Sequence, residues 1–194
     1  MDEIQPPSAM KLLVIRLSSI GDIVLTTPVL RALKEQIPDI ELHYLTKKAN
    51  EAVLAPNPRL TKVHIYDGKT QKELADELRA EHFDAIIDLQ KNHRSRKVVR
   101  LLGLPHFTFP KLNFLKWLFV RLKLNFLPDV HIVERYFDAV HDLSVHKDHK
   151  GLEFYIPENE EFDEDMKALW KLLKMDYIPA DEVHLMPDLF VHNK

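Results

Sequence analysis

A doubly wound α/β sheet with mostly parallel strands is the fold this sequence predicts, and three observations carry that expectation. Short apolar runs of strand length recur at 11–17, 41–45, 62–66 and 84–89. Stretches with apolar residues one helical turn apart separate most of them. The first run, "KLLVIRL", is almost continuously apolar rather than alternating, as befits a strand covered on both faces. Strand alternating with helix is the pattern of a sheet wound on both sides, Rossmann-like in kind.

The elements follow in order. "KLLVIRL" is the first and central strand. Helical spacing then runs from Gly21 to Gln36, with Leu25, Val29 and Leu33 every four residues. Thr27 before Pro28 also reads as an N-cap and first helical position, so this helix either starts at Gly21 and kinks or starts at Pro28. "ELHYL" (41–45) and "KVHIY" (62–66) alternate between turn residues, with a short helix in "KKANEAVLA". "QKELADELRAEH" (71–82) is amphipathic, and "DAIIDL" (84–89) is a buried strand. A helix at about 94–102, a short strand "HFTF" (106–109) and helices near 112–126 and 131–143 complete the sheet's surroundings. The expected organisation is a flexible leader over 1–9, one Rossmann-like domain over 10–157, a helix or linker over 158–175 and an irregular tail over 176–194.

Composition narrows the function. A chain of 194 residues, 45% hydrophobic, supports one well-packed domain. Its 27 basic and 30 acidic residues give a net charge of -3, which offers no global field for nucleic acid, and no nucleic-acid partner is expected. Cysteine is absent, which removes disulfides and thiolate chemistry and fits a cytoplasmic setting. The opening "MDEIQPPSAM" lacks the basic start and apolar core of a secretory signal. The most apolar window, 112–127, is interrupted by Lys116, Arg121 and Lys123 and is too short for a bilayer core of roughly 30 Å. Its stripe of Leu112, Leu115, Phe119, Leu122 and Phe126 fits a buried helix face, while Phe114, Trp117 and Leu118 beside basic residues also fit peripheral contact with a membrane or a lipid-linked substrate.

Ligands of open α/β sheets bind beyond the carboxyl ends of the strands. "SSIGD" lies there after the first strand. Ser18 and Ser19 offer hydroxyls, Gly21 permits close approach or a positive φ, the helix start offers free amides to an anion, and Asp22 can accept a proton from an attacking hydroxyl. A simpler role fits the same residues: Asp22 caps the helix and Gly21 makes the turn. Beyond the strand at 84–89, "LQKNHRSRK" gathers Gln90, Asn92, Arg94 and Arg96 in a loop suited to phosphate or sugar phosphate. The arginines oppose the helix dipole there unless an anion compensates. "HIVERY" sets His131, Glu134 and Arg135 within one turn, and Arg135 can reach the same crevice. No metal site is expected. His141, His146 and His149 sit in a polar turn, and Asp163 and Asp165 lie about 200° apart on a helix.

The stretches "MKLLVIRLSSIGDIVLTTPVLRALKEQIPD", "HYLTKKAN", "FDAIIDLQKNHRSR", "FPKLNFLKWL", "LPDVHIVERYFDAV" and "GLEFYIP" together resemble family 9 glycosyltransferases, the heptosyltransferases of lipopolysaccharide core assembly. The resemblance implies a GT-B architecture of two Rossmann-like domains, of which this chain matches the acceptor-binding N-terminal one. It implies that Asp22 is the catalytic base, that heptose moves from ADP-heptose to the lipid A-linked inner core with inversion, and that neither metal nor cofactor takes part. Arg94, Arg96 and Arg135 then meet acidic groups of the acceptor. Peripheral attachment at the inner face of the inner membrane is a further implication.

The resemblance also implies a donor domain for the nucleotide sugar, with no counterpart before Lys194. The expectation is a truncated, frame-disrupted or excised half, inactive alone. A non-catalytic module that binds glycolipid or protein is the alternative. A dinucleotide-dependent oxidoreductase ranks below both, because G-x-G-x-x-G does not follow the first strand.

Overall fold

The computed structural model describes residues 10–109 and 131–155. β1 (Lys11–Ile15) leads into the short α1 (Ile20–Val24) and then α2 (Thr27–Gln36). β2 (Glu41–Lys47), α3 (Glu51–Leu54), β3 (Lys62–Tyr66), α4 (Gln71–Arg79), β4 (Ala85–Asp88), α5 (His93–Leu102) and β5 (His106–Thr108) follow. α6 (Ile132–Asp138) closes the regular structure with a 3-10 turn at His141–Leu143.

The five strands are parallel throughout, in the order β3-β2-β1-β4-β5. β1 is therefore the centre of the sheet, with Ile15 level with Leu45 on one side and Asp88 on the other. The winding reverses between β1 and β4, and such switch points open a crevice at the strands' carboxyl ends.

Both faces are covered, as the unbroken apolar run of β1 requires. Leu12 and Val14 pack with Val29, Leu30 and Leu33 of α2 and Tyr136 and Phe137 of α6. Leu13 and Ile15 point the other way, to Leu74 and Leu78 of α4 and Val98, Val99 and Leu102 of α5. All four β1 residues are fully buried, each worth roughly 1.5–3 kcal/mol.

Both starts foreseen for the helix over 21–36 occur, with a break between them. The Thr26 hydroxyl donates to the Ile23 carbonyl at 2.6 Å and the Thr27 hydroxyl to the Val24 carbonyl at 2.8 Å, so the end of α1 is satisfied by side chains. Pro28, with no N–H to lose, sits in the first turn of α2. α5 stops at Gly103, whose φ of +70° is the left-handed cap that favours glycine.

The segment after α6 is clamped back onto α2. Arg31, 2% exposed, grips Asp148 with two bonds of 2.5 and 2.9 Å and donates to the carbonyls of Lys150 and Gly151. Arg59 grips Glu153 at 2.6 and 2.7 Å. Among the described residues no helix is long and apolar enough to cross a membrane. The expected leader over 1–9, the helix over 112–126 with its membrane-facing alternative, the helix over 158–175 and the tail over 176–194 lie outside the described residues.

Candidate functional site at the ends of β1 and β4

Arg16 follows the last residue of β1 and organises the crevice. Its backbone N–H continues the ladder to Leu45, 3.1 Å away. Its side chain is only 10% exposed, places Nη2 2.6 Å from Asp22 Oδ2, and donates from Nη1 to the Leu89 carbonyl at 2.6 Å. The guanidinium also lies 5.8 Å from the ring centroid of Tyr136. One cation thus joins the ends of β1 and β4 to α6. Tyr136 is fully buried, and that burial pushes its hydroxyl up to about 12.

Asp22 stands at the third position of α1, where Oδ2 accepts from the Ser19 N–H at 3.2 Å and from the Ser19 hydroxyl at 2.9 Å. The capping role foreseen for Asp22 is therefore real. The hydrogen bonds it accepts fall on Oδ2, and the side chain is 36% exposed. Gly21 lies within α1 and outside the positive-φ residues. Its use is not a left-handed turn. α1 is only five residues long.

On the β4 side, buried Asp88 pins the loop: Oδ1 accepts from the N–H groups of Gln90 and Lys91 at 3.0 and 2.8 Å, and Oδ2 from the Ser95 hydroxyl at 2.9 Å. Gln90 reaches across, its Oε1 accepting from the N–H groups of Leu17 at 2.8 Å and Ser18 at 3.2 Å. It binds the two loops to each other. Asn92 caps α5, accepting from the N–H groups of Arg94 and Ser95 at 2.9 and 3.0 Å. Those two amides are thereby satisfied within the loop.

What the loop presents outward is positive charge. Arg94 and Arg96 are exposed, and Arg96 joins Lys91, Arg100 and His106 along a groove of about 490 Å³ between α5 and β5. Lys91 donates to the Phe109 carbonyl at 2.6 Å, and burial, then the charges of Arg96 and Arg135, lower its ammonium pKa. Arg135 places its guanidinium 5.3 Å from the Phe109 ring centroid. Its two companions serve the structure: His131 caps α6 through Val133, and Glu134 pairs with Lys147 at 3.0 Å.

Ser18, Ser19, Asp22 and Gln90 are thus joined in one bonded cluster around the end of β1. Arg16, Lys91 and Ser95 were not singled out from sequence. Arg16 carried one usable signal, a lone charge inside the apolar run "KLLVIRL".

Comparison with known proteins places this architecture. No family model matches the chain. Lipopolysaccharide heptosyltransferase 1 of Campylobacter coli is 32% identical over 136 residues, covering 66% of this chain and 40% of the relative. The chain therefore spans about two-fifths of the length of that curated relative. A glycosyltransferase family 9 structure from Veillonella parvula aligns over 84% of this chain and 47% of its own, with a TM-score of 0.60 at 21% identity. The Escherichia coli heptosyltransferase WaaC, solved with ADP-2-deoxy-2-fluoro heptose, aligns over 73% of this chain and 50% of its own, with a TM-score of 0.58 at 22% identity. These structures share the Rossmann-like α/β fold, and the sequence match goes further: over the 136 residues matched, this chain is heptosyltransferase-like.

Proposed function

We propose that residues 10–157 form the acceptor side of a heptosyl transfer, on the cytoplasmic face of the membrane, with Asp22 as general base. The observation that carries this reading is the state of the Asp22 carboxylate: Oδ2 is held by Ser19 and Arg16 at the end of β1, while the side chain stays 36% exposed. A hydroxyl of the inner core, seated against the carboxylate, gives up its proton as its oxygen bonds to the anomeric carbon of heptose. The bond to ADP breaks on the opposite face, so configuration inverts. ADP leaves with its charge on phosphate, and no metal is needed on this half.

The remaining residues divide the work. Arg16 and Ser19 fix the base, Gln90 ties its loop to β4, and Gly21 keeps the approach free of a side chain. Ser18, whose hydroxyl makes no hydrogen bond among the described residues, is left to meet the acceptor. Arg94, Arg96 and Arg135 bind its phosphates and acidic sugars, for which paired N–H donors suit oxyanions. The nucleotide sugar in the Escherichia coli structure supports ADP-heptose as donor.

Calorimetric titration of the chain with de-acylated inner-core oligosaccharide tests the acceptor half of this reading. Saturable binding is expected, weakened by salt and by Arg94→Ala or Arg96→Ala, because contacts to phosphate are partly Coulombic. No binding, or binding indifferent to both substitutions and to salt, would remove it.

A further inference from the structure

His43 in β2 and His64 in β3 are separated in sequence but brought together by strand register, which sets Leu45 beside His64. His43 and Leu45 share a face of β2, the one turned to α4 and Phe83. The two imidazoles stack with centroids 5.1 Å apart, and both meet Phe83 edge-on, at 5.0 and 5.8 Å. His43 Nδ1 lies 2.9 Å from His64 Nε2. Glu81, just past α4, brings Oε2 to 4.0 Å from His43 Nδ1. The three ligand atoms all lie within 4.8 Å of one another.

We propose that His43, His64 and Glu81 form a zinc site that fastens α4 to the edge of the sheet. Two imidazole nitrogens and one carboxylate oxygen are a donor set that zinc takes, with water as fourth ligand. Tetrahedral bonds of about 2.0–2.1 Å set ligand atoms roughly 3.3 Å apart, so the two nitrogens already stand close to their places and Glu81 has a short way to close. Both rings are neutral, and a metal needs only a tautomer shift to free the facing nitrogen that carries the proton of their hydrogen bond. Burial, and then the neighbouring His43, hold His64 down to about 4, and burial lowers His43 as well.

The other nitrogen of His43 supports the same assignment. Nε2 is buried with no hydrogen-bond partner, and the Glu41 carboxylate stands 3.9 Å away. A metal at Nδ1 fixes the proton on Nε2, and a carboxylate beside that N–H is the usual orienting partner of a metal-bound histidine. Two interactions compete: the hydrogen bond between His43 Nδ1 and His64 Nε2, whose proton the metal displaces, and the Lys62 ammonium on Glu81. Lys62 is 53% exposed and can turn to water when zinc takes its place. The site lies toward the start of β2, away from the crevice at the strands' carboxyl ends, so its role is structural.

Titration of the full chain with zinc chloride against a chromophoric chelator tests this, with cobalt absorption reporting tetrahedral geometry. One equivalent is expected to bind with micromolar affinity or better. His64→Gln and Glu81→Gln are each expected to weaken it about tenfold or more, and Lys62→Ala to tighten it. Zinc is also expected to raise the thermal midpoint of the parent and leave that of His64→Gln unmoved. Absence of saturable binding overturns the proposal. So does affinity unchanged in both His64→Gln and Glu81→Gln, which would assign the metal to exposed histidines elsewhere.

Discussion

The Arg16 guanidinium stands 2.6 Å from the Asp22 carboxylate and, through its other nitrogen, equally close to the Leu89 carbonyl. A single buried cation therefore sets the distance between the loop after β1 and the loop after β4. Replacing it leaves a buried carbonyl without its donor. Arg16→Met is expected to lower stability by about 2 kcal/mol, within the range for hydrogen bonds that involve a charged group. Asp22→Asn, at a partly exposed site, should cost less than about 1 kcal/mol. Urea unfolding of the two variants checks the contrast.

Arg31 makes the strongest structural demand. It is 2% exposed and serves Asp148, Glu153 and two carbonyls at once. Arg31→Met strands these acceptors, and a loss of about 3–5 kcal/mol is expected. Arg31→Met combined with Asp148→Leu should recover part of it, because the stranded charge is then removed. The same unfolding measurement reads both.

Acid should weaken the fold in two stages. Burial holds His64 at about 4 and His43 below its ordinary value, so protons favour the unfolded chain, where histidine titrates near 6.5. This contribution is complete above roughly pH 6.5 and is lost as pH falls toward 4. Burial alone would raise Asp148 and Glu153, but hydrogen bonds from Arg31 and Arg59 outweigh it and hold both below their ordinary values. Their contribution is present above the unfolded carboxyl pKa of about 4 and is lost below it. Stability measured against pH should be level from 8 to 7, decline from about 6.5 and steepen near 4. His64→Gln should flatten the first decline.

The sheet was legible from the sequence because burial on both faces leaves an unbroken apolar run, and "KLLVIRL" and "DAIIDL" showed it. The break between α1 and α2 was legible only as two alternatives, since Leu25, Val29 and Leu33 keep helical period across it while Thr27 and Pro28 signal a start. Side-chain destinations were not legible. An amide in a polar loop serves backbone or ligand equally well on paper, and here Gln90 and Asn92 spend their carbonyls on backbone N–H groups. His43 and His64 were hidden for another reason. Each fits the alternation of its own strand, and only the register between β2 and β3 brings them together.

The central claim is that Asp22 takes the acceptor's proton, and turnover tests it most directly. The measurement is ADP-heptose-dependent transfer to inner-core acceptor by a chimera in which residues 10–155 replace the matching segment of the Campylobacter coli relative. The chimera is expected to transfer heptose, and its Asp22→Asn form to do so at least about a hundredfold more slowly with its fold unchanged, the low end of what a general base contributes. Equal turnover of the two forms, or none from the parent chimera, would contradict the account.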